Sequence, residues 1–214
     1  MRCILLQKKN RVFPFYFLAW NSFLFLFSFF QRSAFAQEIK EAFESLRKFQ
    51  SWQVEFYEEI VEKGSVIERR EGKIYFEKPL RFKISYQDGN EVLSDGTLIY
   101  FVRKNKNKVY VRELKNEVSE NLIVEILRGS DRVFDFFFVK KIDEGEYELY
   151  PKKDVIKNVS RVIVYLNPIV FPIKKVEIWR GTLGVKLEIK NVSFKKESIR
   201  FSFEGLNIIR EPKY

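Results

Sequence analysis

The sequence predicts a mainly β domain with short helices, an α+β fold. About eleven antiparallel strands would form one large curved sheet or a barrel. Three observations carry this expectation. Apolar residues alternate with period two through most of the chain. Turn signals rich in Gly, Asp, Asn and Pro recur at short intervals. Only two short segments show helical spacing, too little to cover both faces of a large sheet. No linker divides the chain, and no internal repeat is present.

The elements follow in order. Residues 37–49 read as a helix, with Ile39, Phe43, Leu46 and Phe49 on one apolar stripe and charged residues opposite. Trp52, Val54 and Phe56 then alternate with polar neighbours, and the strand runs toward Ile60. Gly64-Ser65 turns the chain into a strand from Val66 to Phe76; Pro79 interrupts pairing because it has no N–H to donate. Phe82, Ile84 and Tyr86 form the next strand, and Asp88-Gly89-Asn90 marks a turn. Val92-Leu93 leads to a second turn at Ser94-Asp95-Gly96. Leu98–Val102 and Val109–Val111 read as a hairpin around the basic run from Arg103 to Lys108, a solvated turn.

Ser119–Leu127 reads as a second helix with Ser119 as its N-cap, ended by Gly129-Ser130-Asp131. Phe134–Val139 is a dense aromatic run, either a buried strand or something more apolar still. Five more strands are expected at Glu146–Tyr150, Val159–Leu166, Ile173–Trp179, Gly184–Asn191 and Ile199–Phe203.

Ahead of this domain lie 36 residues of a different kind. Arg2, Lys8, Lys9 and Arg11 precede the apolar run Val12–Phe30, and Ala34-Phe35-Ala36 follows. A basic start, an apolar middle and small residues at −3 and −1 describe a secretory signal peptide, cut after Ala36. The competing reading is a retained membrane anchor, since the run approaches the ~20 residues that span a bilayer. Either way residues 37–214 form the domain, outside the cytoplasm.

The charge changes meaning once that segment is set apart. The whole chain carries 39 basic and 29 acidic residues, but five of the basic ones precede Gln37, which leaves a mild +5. That excess is spread among acids, which gives no nucleic-acid patch. The single Cys is Cys3, so no internal disulfide can form, and the absence of His removes imidazole catalysis and His-ligated zinc. No phosphate loop or metal cluster is present, so neither cofactor nor metal is expected. Glu58 and Glu59 would point to opposite faces of a strand, and no spacing singles out a carboxylate pair for a hydrolase.

The positive signal is apolar. Residues 37–214 retain fourteen Phe, nine Tyr and two Trp. Strands such as Leu98–Val102 and Phe136–Val139 carry large apolar groups on both faces, where a sheet wetted on one side would alternate more cleanly. Either helices pack there as ordinary core, or an apolar cavity suited to acyl chains lies under them.

Several stretches carry a family resemblance. Phe49-Gln50-Ser51-Trp52-Gln53-Val54-Glu55-Phe56 is similar to a helix followed by F-x-x-x-F. Gly72–Tyr86, reading GKIYFEKPLRFKISY, is similar to a glycine-led strand, a basic-Pro step and a second aromatic strand. Val92–Tyr100 contains Ser94-Asp95-Gly96 between apolar flanks, Gly145–Pro151 reads GEYELYP, and Phe201-Ser202-Phe203 lies near the end. Together these resemble the LolA family of periplasmic outer-membrane lipoprotein carriers.

The resemblance implies one strongly curved antiparallel sheet, an incomplete barrel whose concave side is closed by helices. It implies a monomeric periplasmic carrier, not an enzyme. Such a carrier takes lipoproteins by their acyl chains from an inner-membrane lipoprotein-releasing transporter to an outer-membrane acceptor. The expected acyl-chain lining is Trp52, Phe56, Phe76, Phe82, Tyr100, Ile123, Leu127, Phe137 and Trp179. Lys78 matches a rim position, typically Arg in the family, that passes cargo onward. The alternatives are a lipid or lipoprotein sensor of the same superfamily, or a tethered envelope protein with a solid core.

Overall fold

The computed structural model describes residues 37–114, 122–152, 158–167, 169–195 and 198–210. The N-terminal segment through Ala36 and the proposed cap Ser119 lie outside the described residues.

Helix α1 covers residues 37–48, and its stripe of Ile39, Phe43 and Leu46 is fully buried, as the spacing predicts. Six strands then run as a meander: β1 (Ser51–Glu62), β2 (Ser65–Glu77), β3 (Arg81–Tyr86), β4 (Glu91–Asp95), β5 (Leu98–Arg103) and β6 (Lys108–Glu113). Two short helices follow, α2 (Leu122–Leu127) and α3 (Arg132–Phe136). A second meander comprises β7 (Phe137–Asp143), β8 (Glu146–Pro151), β9 (Arg161–Leu166), β10 (Ile173–Arg180) and β11 (Leu183–Ser193). It returns so that β11 pairs with β1, and the last strand, β12 (Asn207–Arg210), joins the far edge beside β6.

The result is one sheet of twelve strands in the order β12-β6-β5-β4-β3-β2-β1-β11-β10-β9-β8-β7. The expected strongly curved, incomplete antiparallel barrel is therefore corrected. The sheet is open: its edge strands β12 and β7 do not pair with each other, and β12 runs parallel to β6. Helices do not close it either, because α2 and α3 have only six and five residues. Closure would require hydrogen bonds between the two edges, and among the described residues these edges make none.

Two local expectations also change. Phe134–Val139 is not one strand: α3 ends at Phe136 and β7 begins at Phe137. Phe134 lies against Phe43 of α1, with ring centroids 4.9 Å apart. Ile199–Phe203 is not a strand, although it alternates. Its period-two pattern comes from packing: Ile199, Phe201 and Phe203 join a cluster with Tyr75, Leu93, Val102 and Val111 on one face of the sheet. The face opposite carries the main core, where α1, α2 and α3 pack.

The helices are fastened to one another as well as to the sheet. Gly129, between α2 and α3, has φ +70°, and a Cβ there would lie 2.2 Å from the Phe43 carbonyl oxygen. Only glycine permits both that conformation and that approach. Arg47 of α1 donates to the Gly129 carbonyl oxygen at 2.8 Å and is ion-paired with Asp131.

Candidate functional site

A cavity of about 350 Å³ lies on the helix-bearing face of the sheet. Strand alternation builds its walls. Phe56 and Glu58 come from β1, Phe82, Ile84 and Tyr86 from β3, and Ile99 and Phe101 from β5. From the other half come Ile178 and Arg180 of β10 and Leu183, Val185 and Leu187 of β11. Leu122, Ile123 and Val124 of α2 also line it. Gly72 sits behind the Phe56 ring: a Cβ there would lie 2.9 Å from that ring and 2.3 Å from the Ser85 carbonyl oxygen. Glycine at this point lets Phe56 lie against β2, and Tyr86 meets its ring edge-on at 5.7 Å.

The polar groups on this wall are few. Glu58 is only 7% exposed. Its Oε2 accepts no hydrogen bond, and Arg70 Nη1 stands 3.7 Å away. Burial pushes the carboxyl above its usual range, and the Arg70 charge opposes that shift without cancelling it. Burial also pushes the Tyr86 hydroxyl up to about 12, with the neighbouring Glu58 charge adding to it. Arg112 lies over the Phe101 ring, 4.9 Å from its centroid.

The sequence-expected lining residues separate into three groups. Phe56, Phe82 and Ile123 are on the cavity wall. Trp52, Phe76, Leu127 and Phe137 are buried in the same core without reaching the wall. Tyr100 and Trp179 belong to the opposite face, one residue out of phase with Ile99 and Phe101 and with Ile178 and Arg180. Tyr100 stacks on Phe203 at 5.0 Å. Trp179 lies between Arg161 and Lys186, at 5.0 and 5.8 Å, and covers Gly184. Lys78 is at the C-terminal end of α1, where its Nζ donates to the Arg47 carbonyl oxygen. This suits the negative end of the helix dipole.

Sequence reasoning did not place Glu58, Tyr86, Arg112 or Arg180 at the site. The signal for Glu58 was available: it follows Phe56 by two, in phase with the apolar face of its strand. Among the described residues, no group of three or more His, Cys, Asp or Glu could hold a metal, and no helix is long and apolar enough to cross a membrane.

Together these features describe an open β-sheet protein with a mainly apolar cavity on its helix-bearing face. The chain belongs to the LolA family: the family described as outer membrane lipoprotein carrier protein LolA matches residues 47–182. Membership makes it a periplasmic, non-enzymatic protein with a general role in lipoprotein binding and transport.

Among solved structures, the chain is similar to an uncharacterised conserved protein of Thermus thermophilus. Identity is 11% and the TM-score 0.51, covering 82% of this chain and 99% of the other. That likeness establishes a shared fold. A LolA superfamily protein from Nitrosomonas europaea is also similar, at 12% identity and TM-score 0.43, covering 76% of this chain and 94% of that one. No curated protein sequence matches the chain.

Proposed function

We propose that this chain carries lipoproteins by holding their acyl chains in the cavity between the sheet and α2. Export removes the segment before Gln37, with cleavage near Ala36, and the domain 37–214 acts in the periplasm. It receives cargo from an inner-membrane lipoprotein-releasing transporter and delivers it to an outer-membrane acceptor. The observation that supports this reading is the apolar wall contributed by Phe56, Phe82, Ile84, Val185 and α2.

The energetics favour such a ligand. Each methylene withdrawn from water contributes roughly 0.8 kcal/mol, so ten contribute about 8 kcal/mol before the cost of association. Lys78 would take part in handing cargo onward from its position at the α1 terminus.

The test is release of lipoprotein from spheroplasts. Exported protein added to spheroplasts should bring a triacylated lipoprotein into the soluble fraction. Val185→Trp, which puts an indole into the cavity, should reduce that release at least tenfold while its melting temperature stays within a few degrees of the parent. Equal release by the two proteins would refute the cavity as the cargo site.

A further inference from the structure

Glu58 is costly where it stands. It lines the cavity two residues from Phe56 on β1. Its Oε2 is buried and accepts no hydrogen bond. Arg70 is shared: its Nε and Nη2 donate to Glu68 at 2.7 and 2.6 Å, and its Nη1 forms an ion pair with Glu58 Oε2 at 3.7 Å, beyond hydrogen-bond reach. A buried oxygen in that state gives up its hydration for a charge at 3.7 Å and no hydrogen bond, which leaves part of its desolvation uncompensated. A ligand in the cavity would supply the hydrogen-bond donor that Arg70, at 3.7 Å, does not.

The surrounding charges narrow the ligand's chemistry. Arg112 and Arg180 share the wall with Glu58, and Arg70 adjoins it. An ammonium at Glu58 would meet the Arg70 guanidinium already beside it. An anionic head would leave Oε2 without a donor and add a second negative charge beside it. A neutral N–H or O–H avoids both penalties.

We propose that the cavity selects acyl ligands whose head is neutral and carries a hydrogen-bond donor, an amide N–H or a hydroxyl, and that Glu58 Oε2 accepts from it. This rests on the acyl-chain reading above and adds head-group selection to it. The donor could come from an N-acylated lipidated terminus or from a glyceryl hydroxyl.

A displacement titration with five ligands that share a sixteen-carbon chain tests it, each competing with a fluorescent fatty-acyl probe on the exported protein. Palmitamide or 1-monopalmitoylglycerol should bind about tenfold tighter than methyl palmitate, the scale of one buried hydrogen bond. Palmitate and hexadecylammonium should bind no better than the methyl ester. A preference for palmitamide assigns the donor to an amide, and one for monopalmitoylglycerol assigns it to a hydroxyl; both support the proposal. In Glu58→Leu the donor-to-ester ratio should collapse to about one, whatever the absolute affinities. Glu58→Gln, which keeps a carbonyl acceptor, should retain part of it. No preference in the parent, a preference that survives in Glu58→Leu, or tightest binding by a charged ligand would overturn the proposal while leaving the acyl-chain reading intact. Failure of all five ligands to displace the probe, together with failure of the probe to bind, would overturn both.

Discussion

Trp52→Ala should lower folding stability by about 3–5 kcal/mol, the cost of removing a large aromatic from a packed core. Trp52 is 1% exposed. Its ring stacks on Phe76 at 5.2 Å and meets Phe171 edge-on at 5.4 Å. Phe76 belongs to β2, while Phe171 comes from the connection between β9 and β10, so this one side chain joins the two meanders across the helix-bearing face. Its Nε1 has no hydrogen-bond partner, so truncation also removes an unsatisfied donor, which offsets part of the loss. Urea denaturation of the parent, Trp52→Ala and Trp52→Phe measures the effect. The phenylalanine variant should fall between the other two. A loss under about 1 kcal/mol in the alanine variant would mean that Trp52 is not a packing centre.

Gly129→Ala should cost more than about 3 kcal/mol, although it adds a single methyl. Two penalties combine. The left-handed conformation at φ +70° costs an L-residue roughly 1–2 kcal/mol. The new Cβ would also press on the Phe43 carbonyl oxygen at 2.2 Å and on Leu46 Cβ at 2.9 Å, neither of which can swing away as a flexible side-chain end could. Relief requires α1 and the α2–α3 connection to part, which breaks the Arg47–Gly129 hydrogen bond. Gly181→Ala is the control. It shares a positive φ, +61°, but nothing lies within 4 Å of its Cβ, so it should lose only the conformational part. Thermal melts give the two losses, and amide hydrogen exchange should show faster exchange through residues 37–48 in Gly129→Ala alone. Equal losses at the two glycines would contradict the close approach.

Much of this architecture was legible from local pattern. Ile39, Phe43 and Leu46 gave α1 its buried stripe, and alternation from Trp52 to Phe101 gave the first meander with its turns. These features depend on a period and on turn chemistry, both of which reside in a few consecutive residues. The openness of the sheet was not legible. It depends on which distant strands pair, β1 with β11 and β6 with β12, and no local signal sets that. Tyr100 and Trp179 were expected on the cavity side for a related reason. Strands covered on both faces lose the polar phase that identifies the inner one, and the C-terminal segment covers the opposite face of β5. Ile199–Phe203 alternates like a strand because every second side chain packs on that face, a contact pattern that mimics a ladder. Among the site residues, Phe56, Phe82 and Ile123 could be picked out as large apolar groups. Glu58 could have been found only by treating an acid in phase with them as a feature of the site.

In the proposed reading, acyl chains occupy the helix-bearing face of the sheet. A palmitoyl chain bearing a terminal diazirine, photolysed in complex with the exported protein and mapped by peptide mass spectrometry, tests it most directly. Adducts are expected on peptides carrying Phe56, Phe82, Ile123 or Val185, suppressed by an excess of triacylated lipopeptide. Adducts confined to the opposite face, around Tyr100 and Phe203, or labelling unaffected by the competitor, would contradict it.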